Sequence, residues 1–372
     1  MTGSPSLPLL RLDKRHFNVL DFSRLLAACA VLFWHYQHFF VPPVAYNFLV
    51  PREAVTPLYH QLGWLYDYGH AAVQYFWAVS GFVFAHVYLA DPQARGRFWI
   101  ARVARLWPLH LLTLVIVAMM QIAYVRTNGT EFIYHQQDLK HFLLSLPLAQ
   151  YWGWQDNQSF NGPSWSLSTE ILAYGAFWLM LPMLRRAPLA LALPVAGIVL
   201  GLFFAGAPNA PVLTCVGYFF GGCAVYGAAL TGWLRPPALG LLALALAAVA
   251  VHLGWTWHSL DGATLAGTFA ALCAALMIDL LDARDRLRIG RQLGEASYGI
   301  YLWHFPIQLA LVLAIDALFG SRAIARQPAF MIFFVTAAVL AGFASHRWIE
   351  RPAQRGLMRM AGRLGAARAI PA

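Results

Sequence analysis

Along most of this chain apolar residues neither alternate with polar ones nor recur at the spacing of a half-buried helix; they run on without interruption. Ten such runs stand out, at about 20–40, 69–89, 104–124, 163–184, 188–205, 211–230, 238–253, 262–281, 295–315 and 329–348. Each approaches the roughly 20 residues that a helix needs to cross the hydrocarbon of a bilayer. The pattern predicts an all-α, polytopic membrane protein with about ten transmembrane helices. Segment 141–154 is apolar but short and rich in Trp and Tyr, which suits an interfacial or re-entrant piece better than a span.

Composition agrees: 60% of the 372 residues are hydrophobic and only 11% are charged, against about 25% charged in a soluble domain. The net charge of +10 is not a nucleic-acid signature, because the basic residues cluster between the apolar runs. With the N-terminus inside, 21 of the 26 Lys and Arg residues fall on cytoplasmic segments, and Arg52, Arg126, Lys140, Arg322 and Arg326 fall outside. The positive-inside rule therefore places both termini in the cytoplasm. The first run carries an Arg and a His and has no small-residue cleavage site, so it reads as a retained helix rather than a signal peptide. Cys29, Cys215, Cys223 and Cys273 all lie in apolar runs, without CxxC or Cys/His clustering; neither a disulfide framework nor a metal site is indicated. The expected layout is a cytoplasmic segment over 1–19, a membrane domain over 20–350, and a basic tail over 351–372 that lies on anionic lipid or is disordered.

Polar groups inside the runs carry the candidate chemistry, since ionisable side chains at membrane depth are costly and mark function by default. Asp21, Arg24, Ala28 and His35 fall within a stripe of about 60° on the first helix, with His35 about 21 Å beyond Asp21. An imidazole suits proton movement near neutral pH, or a hydrogen bond to a neighbouring helix. His38 falls off this stripe and reads as interfacial. Arg102 and Arg105, at i and i+3 on the cytoplasmic start of the third span, can hold phosphate bidentately or simply set topology. In NGPSWSLSTEILAY, Asn161 and Pro163 begin a helix that carries Ser166, Glu170 and Tyr174 on one face. Glu170 either orients a hydroxyl or pairs with an arginine. Ser80-Gly81 permits close helix approach. Ser297, Tyr301 and His304 share a face in the ninth run; His304 reads first as a hydrogen-bonded structural group. Glu350, closing the last run, is expected to pair with an arginine.

These stretches resemble the membrane-bound acyltransferase family 3, the bacterial O-acyltransferases that modify surface polysaccharides and related molecules. The matching blocks are LDFSRLLAACAVLFWH, QYFWAVSGFVF, RFWIARVARLWPLHLL, WSLSTE, SYGIYLWHFPI and IERP, in the family's order over nearly the whole chain. The resemblance implies a ten-helix core with both ends cytoplasmic, an acyl-CoA donor, usually acetyl-CoA, and a hydroxyl acceptor. It places the family's essential histidine on His35 and its first-helix arginine on Arg24. The paired arginines fall on Arg102 and Arg105, and the WSLxxE motif on Trp165, Ser166 and Glu170. Tyr75 and Trp77 stand where Phe and a small aliphatic are usual, which bears on pocket shape. The hydrolase-like domain that some members append is not expected, so any second transfer step would need another protein.

The resulting expectation is an inner-membrane O-acyltransferase that moves an acyl group from acyl-CoA to a glycan or lipid-linked saccharide, without metal or nucleic acid. His35, Asp21 and Glu170 form the catalytic set, with His35 as general base or as covalent acyl carrier. Arg24, Arg102 and Arg105 hold the donor's phosphates. Trp165, Ser166, Tyr301 and His304 face the acceptor. A cytoplasmic small-molecule acceptor is the nearest alternative. Intramembrane His, Arg and Glu suit a proton-coupled transporter or flippase as well, but no inverted repeat is apparent and the arginine pair is one-sided.

Overall fold

The computed structural model describes residues 17–41, 51–91, 94–155, 157–232, 234–282 and 289–368. The segment with Arg11, Lys14 and Arg15, and the loop with Arg284, Arg286 and Arg288, lie outside the described residues. The described chain is helical, without strands. Its long apolar helices are α1 (Asn18–His35), α2 (Ala72–Ala90), α3 (Ala94–Asn128), α4 (Trp165–Leu184), α5 (Pro188–Phe204), α6 (Ala210–Leu230), α7 (Pro236–Thr256), α8 (Leu260–Leu281), α9 (Ser297–Phe319) and α10 (Pro328–Ser345). Nine helical segments among the described residues are long and apolar enough to cross a membrane, and the 17 residues of α5 form a shorter apolar helix. The chain is thus a multi-pass membrane protein, and each of the ten apolar runs has its helix.

Two expectations about these helices are corrected. First, α3 begins at Ala94, not at 104, so Arg102 and Arg105 lie more than two turns inside a helix rather than at its start. Second, of the two states expected of the basic tail, disorder does not hold for its described part, which is helical: a π-helical turn over His346–Glu350 leads from α10 into α11 (Arg351–Arg368).

The chain forms two compact units. The first contains Met1–Ser23, Gln74–Arg95 and Ala173–Gln292. Within it α5 pairs with α6 and α7 with α8. Helix α7 shows bare apolar side chains on most sides, with Leu239 and Ala243 its buried residues, as suits a helix solvated by lipid. Helices α2 and α6 meet at glycines. A Cβ on Gly81 would strike the Phe219 carbonyl, and one on Gly222 the Ala78 carbonyl. The Cys223 thiol donates to the Gly81 carbonyl at 3.2 Å. The close approach read from Ser80-Gly81 is therefore present. Tyr75 bonds the Ser23 hydroxyl at 2.6 Å and Trp77 is buried. Arg185 donates to the carbonyls of Tyr88 and Asp91, closing the C-terminal end of α2.

The start of α1 is capped by a residue distant in sequence. Asp279 of α8, 2% exposed, accepts the backbone N–H groups of Val19 and Leu20 at 2.9 Å each. A first-turn N–H has no partner within its own helix, and a carboxylate there also complements the helix dipole. Asp279→Ala strands both donors, at about 1–3 kcal/mol apiece. We expect a clear fall in the thermal unfolding temperature of the detergent-solubilised chain, and a smaller one for Asp279→Asn. Unfolding of the alanine variant at the wild-type temperature would discount the cap.

The second unit contains Arg24–Val73, Gly96–Leu172 and Leu293–Ala372. Its connecting segment before α4 is stitched to the helices by backbone bonds. His110 Nε2 donates to the Ser145 carbonyl at 2.7 Å and Trp107 to that of Leu146 at 3.1 Å. Ser168 of α4 takes the Tyr151 N–H on its hydroxyl and the Trp152 indole on its carbonyl, both at 3.0 Å. Segment 141–154 is thus a short helix, Leu139–Ser145, and a turn bonded to α3 and α4. Trp152 turns its N–H inward, while Trp154 stays exposed. Gly342 lets α10 touch α9, because a side chain there would meet Ile300.

Candidate active site

Helix α9 organises the polar interior of the second unit. Tyr298, Tyr301, His304 and Gln308 recur at three- and four-residue spacing, on one face over about 15 Å of helix. All four are buried. At one end is an arginine cluster, and at the other is His35.

At the His35 end the α-helix of α1 stops and the backbone tightens into a 3-10 turn over Tyr36–Phe40. The His35 carbonyl, at this change of register, accepts from the Gln308 side-chain amide at 2.8 Å. With its NH2 committed there, Gln308 presents its oxygen to His38 Nδ1 at 3.2 Å, so His38 carries its proton on Nδ1. His38 is 7% exposed and its ring centroid lies 5.1 Å from that of His35. The interfacial reading of His38 is corrected: it is buried beside the first histidine.

Tautomers follow from the acceptors. His35 Nδ1 sits 2.9 Å from the Val31 carbonyl, and His304 Nδ1 sits 2.6 Å from the Tyr301 carbonyl. A carbonyl only accepts, so each Nδ1 carries the hydrogen and each Nε2 keeps a lone pair. The two rings are 4.8 Å apart. His304 is fully buried, and its Nε2 has no hydrogen-bond partner among the described residues. A buried, unsatisfied acceptor costs about 1–3 kcal/mol, a deficit that a hydroxyl donor would remove. His35 is half-buried. The pair therefore offers two basic nitrogens on neighbouring rings.

From His304 the path continues along α9. The Tyr301 hydroxyl donates to the Pro163 carbonyl at 2.7 Å and meets Ser166 Oγ at 2.8 Å. The Ser166 hydroxyl also lies 3.3 Å from the Pro163 carbonyl, so the three groups form one junction. Asn161 joins the same junction, donating to Thr113 at 3.1 Å and to the Leu302 carbonyl at 3.2 Å. Glu170, buried one turn beyond Ser166 on α4, acts by its charge on both Tyr298 and Tyr301. Trp165 lies against the Tyr151 ring at 5.4 Å.

At the other end Arg105 donates to Glu350 at 3.3 Å and to the Glu295 carbonyl at 3.3 Å, with its guanidinium over the Tyr298 ring. The pairing expected of Glu350 is present, and its partner is Arg105. Arg24 and Arg102 are close enough for their charges to act on Arg105. Asp21 is in the first turn of α1, one turn before Arg24. Among the described residues no group of three or more His, Cys, Asp or Glu is arranged to hold a metal ion.

The structure thus brings His35, His304, Tyr301, Ser166 and Glu170 to one side of α9, and gathers Arg24, Arg102 and Arg105. Sequence reasoning missed Gln308 and Glu295, and set His38 apart as interfacial. The i, i+3, i+4 recurrence from Tyr298 to Gln308 was the available signal.

A polytopic helical membrane protein with paired imidazoles and an arginine cluster in one helical unit is the class defined so far. The family model described as an acyltransferase domain, acyltransferase 3, matches residues 17–346, so the chain belongs to the acyltransferase 3 family and is an acyl-transferring enzyme. It is 28% identical to "Acyltransferase MdmB" of Streptomyces mycarofaciens over 354 residues, which cover 84% of this chain and 87% of the relative. It is 26% identical to "Nodulation protein 10" of Rhizobium leguminosarum bv. viciae, over 80% of this chain and 84% of that one. It is also 26% identical to "Exopolysaccharide production protein ExoZ" of Rhizobium meliloti (strain 1021), over 77% and 90%. No solved structure matches the chain.

Proposed function

We propose that this enzyme transfers an acyl group, acetyl first among them, from acyl-CoA to a hydroxyl of an exported or cell-surface glycan, within the bacterial inner membrane and with both chain termini in the cytoplasm. The observation that carries the reading is the polar face of α9, which has arginines at one end and the bare Nε2 of His35 at the other. Arg24, Arg102 and Arg105 hold the donor's phosphates, and the thin arm of CoA runs toward His35. His35 Nε2 takes the acceptor's hydroxyl proton as that oxygen attacks the thioester carbonyl. The C–S bond breaks, and the leaving thiolate recovers the proton. Asp21 steadies Arg24. Glu170, Trp165, Ser166 and Tyr301 shape the acceptor side, and His304 Nε2 accepts a hydrogen bond from an acceptor hydroxyl. The glycan acceptor is supported by the name of the exopolysaccharide production relative.

The test is radiolabelled acetyl-CoA presented to the chain in nanodiscs, with and without surface glycan from a deletion strain. We expect CoA release that depends on the glycan, and label that stays on it. Label retained on acetyl-CoA in the presence of glycan would overturn the proposal.

A further inference from the structure

We infer that Glu350 is the positioning residue of the donor site: its carboxylate fixes Arg105 in the orientation that receives a phosphate of CoA. This rests on the donor reading above and adds a residue to it. The π-helical turn over His346–Glu350 is the structural device. Such turns occur mostly as single insertions, frequently at functional sites. Here the wider turn aligns residues five apart, and the Ser345 hydroxyl donates to Glu350 Oε1 at 3.4 Å. Glu350 Oε2 then faces Arg105 at 3.3 Å and His346 Nδ1 at 3.5 Å.

Room for the carboxylate comes from α9. A Cβ on Gly299 would lie 2.9 Å from Glu350 Oε1 and 2.8 Å from the Gly342 carbonyl. With 2% of its side chain exposed, Glu350 is enclosed, and among the described residues Arg105 is its one permanently charged partner. A buried carboxylate is tolerated only when paired in this way. The neighbouring acid is engaged elsewhere: Glu295 takes Arg351 at 2.7 Å and His346 Nε2 at 3.2 Å, and offers Arg105 only its backbone carbonyl.

A guanidinium has five N–H donors in a rigid fork. Glu350 and the Glu295 carbonyl occupy one on each terminal nitrogen. The remaining three have no hydrogen-bond partner among the described residues and keep a fixed direction. Arg24 and Arg102 act on the same guanidinium and supply the positive charge that the Glu350 pair has cancelled. Arg105 thus contributes geometry and its neighbours contribute field, an arrangement that suits a bidentate phosphate contact.

The test compares CoA binding by wild type, Arg102→Ala, Arg105→Ala and Glu350→Gln, each as the full chain in nanodiscs, with acetyl-CoA kinetics alongside. Glu350→Gln keeps the volume and removes the charge. The expected result is a roughly tenfold weaker Kd for CoA and a matching rise in KM, with kcat at saturating donor nearly kept. The Arg105→Ala/Glu350→Gln double variant should bind no worse than Arg105→Ala. Wild-type CoA binding by Glu350→Gln, or a fall in kcat without a change in Kd, overturns the inference. If Glu350→Gln does not fold, Ser345→Ala replaces it: a twofold to threefold weaker Kd supports the positioning role, and an unchanged Kd overturns it. Failure of the donor reading looks different, because the wild type itself would then show negligible affinity for CoA, or both arginine variants would bind it as tightly as the wild type.

Discussion

Replacing His35 by alanine is expected to lower acyl transfer by about 10²–10⁴-fold, the range a positioned general base supplies, while the protein stays folded and inserted. The separation of the two effects follows from how the ring is held. Among the described residues its side chain makes one hydrogen bond, from Nδ1 to the Val31 carbonyl within its own helix. The bond to Gln308 uses the His35 backbone carbonyl, which alanine retains. The end of α1 and the 3-10 turn therefore keep their support, and the half-buried ring gives up its packing on the His38 and His304 rings but no hydrogen bond to another helix. The thermal unfolding temperature should move by only a few degrees. Near-normal turnover in this variant would remove His35 from the chemistry. Incubating wild type with labelled acetyl-CoA alone separates the two routes open to His35: label retained on the denatured protein, and absent from the alanine variant, marks covalent carriage, whereas unlabelled protein marks a base.

The ten helices were legible because crossing a bilayer imposes length and apolarity on contiguous residues, which a sequence displays directly. Of the site, what lies on single helices was also legible: the Asp21, Arg24, His35 stripe, the arginine pair, and Ser166 with Glu170. His38 was misplaced because 100° per residue was carried past the point where α1 ends. In a 3-10 turn residues i and i+3 eclipse, so the tightening that begins at His35 swings His38 back beside it. The early start of α3 was missed because hydropathy measures the apolar stretch, and 94–103 is helical yet too basic to count as part of a span. Glu350 was expected to find an arginine, but its partner is 245 residues away, and no local spacing encodes that. Asp279 drew no reading from the sequence; its task, capping α1, exists only once α8 is set beside the start of the chain. Contacts of high sequence separation are where sequence patterns fall silent, and in this chain they orient the groups that helical periodicity had already found.

Gly222→Val is expected to have the largest effect on stability. At the crossing of α2 and α6 each helix presents a glycine to the other's backbone. Gly222 sits over the Ala78 carbonyl and Gly81 over the Phe219 carbonyl. An added Cβ would meet a backbone oxygen rather than the end of a flexible side chain, so no change of rotamer relieves it. The helices must separate, and separation also breaks the Cys223–Gly81 bond and loosens the ring cluster of Phe84, Tyr174, Phe177 and Phe219, whose closest pair stacks at 4.4 Å. In a bilayer, where apolar burial between helices gains little over lipid, such close packing supplies much of the association energy. Overpacking of this kind costs about 1–3 kcal/mol or more, enough to change the folded population several-fold. The measurement is the monodisperse, folded fraction recovered in mild detergent. Gly201→Ala on α5 is the control, since a Cβ there meets nothing within 4 Å, and it should express as wild type. Equal recovery of Gly222→Val and Gly201→Ala would show that α2 and α6 are not in backbone contact at these glycines.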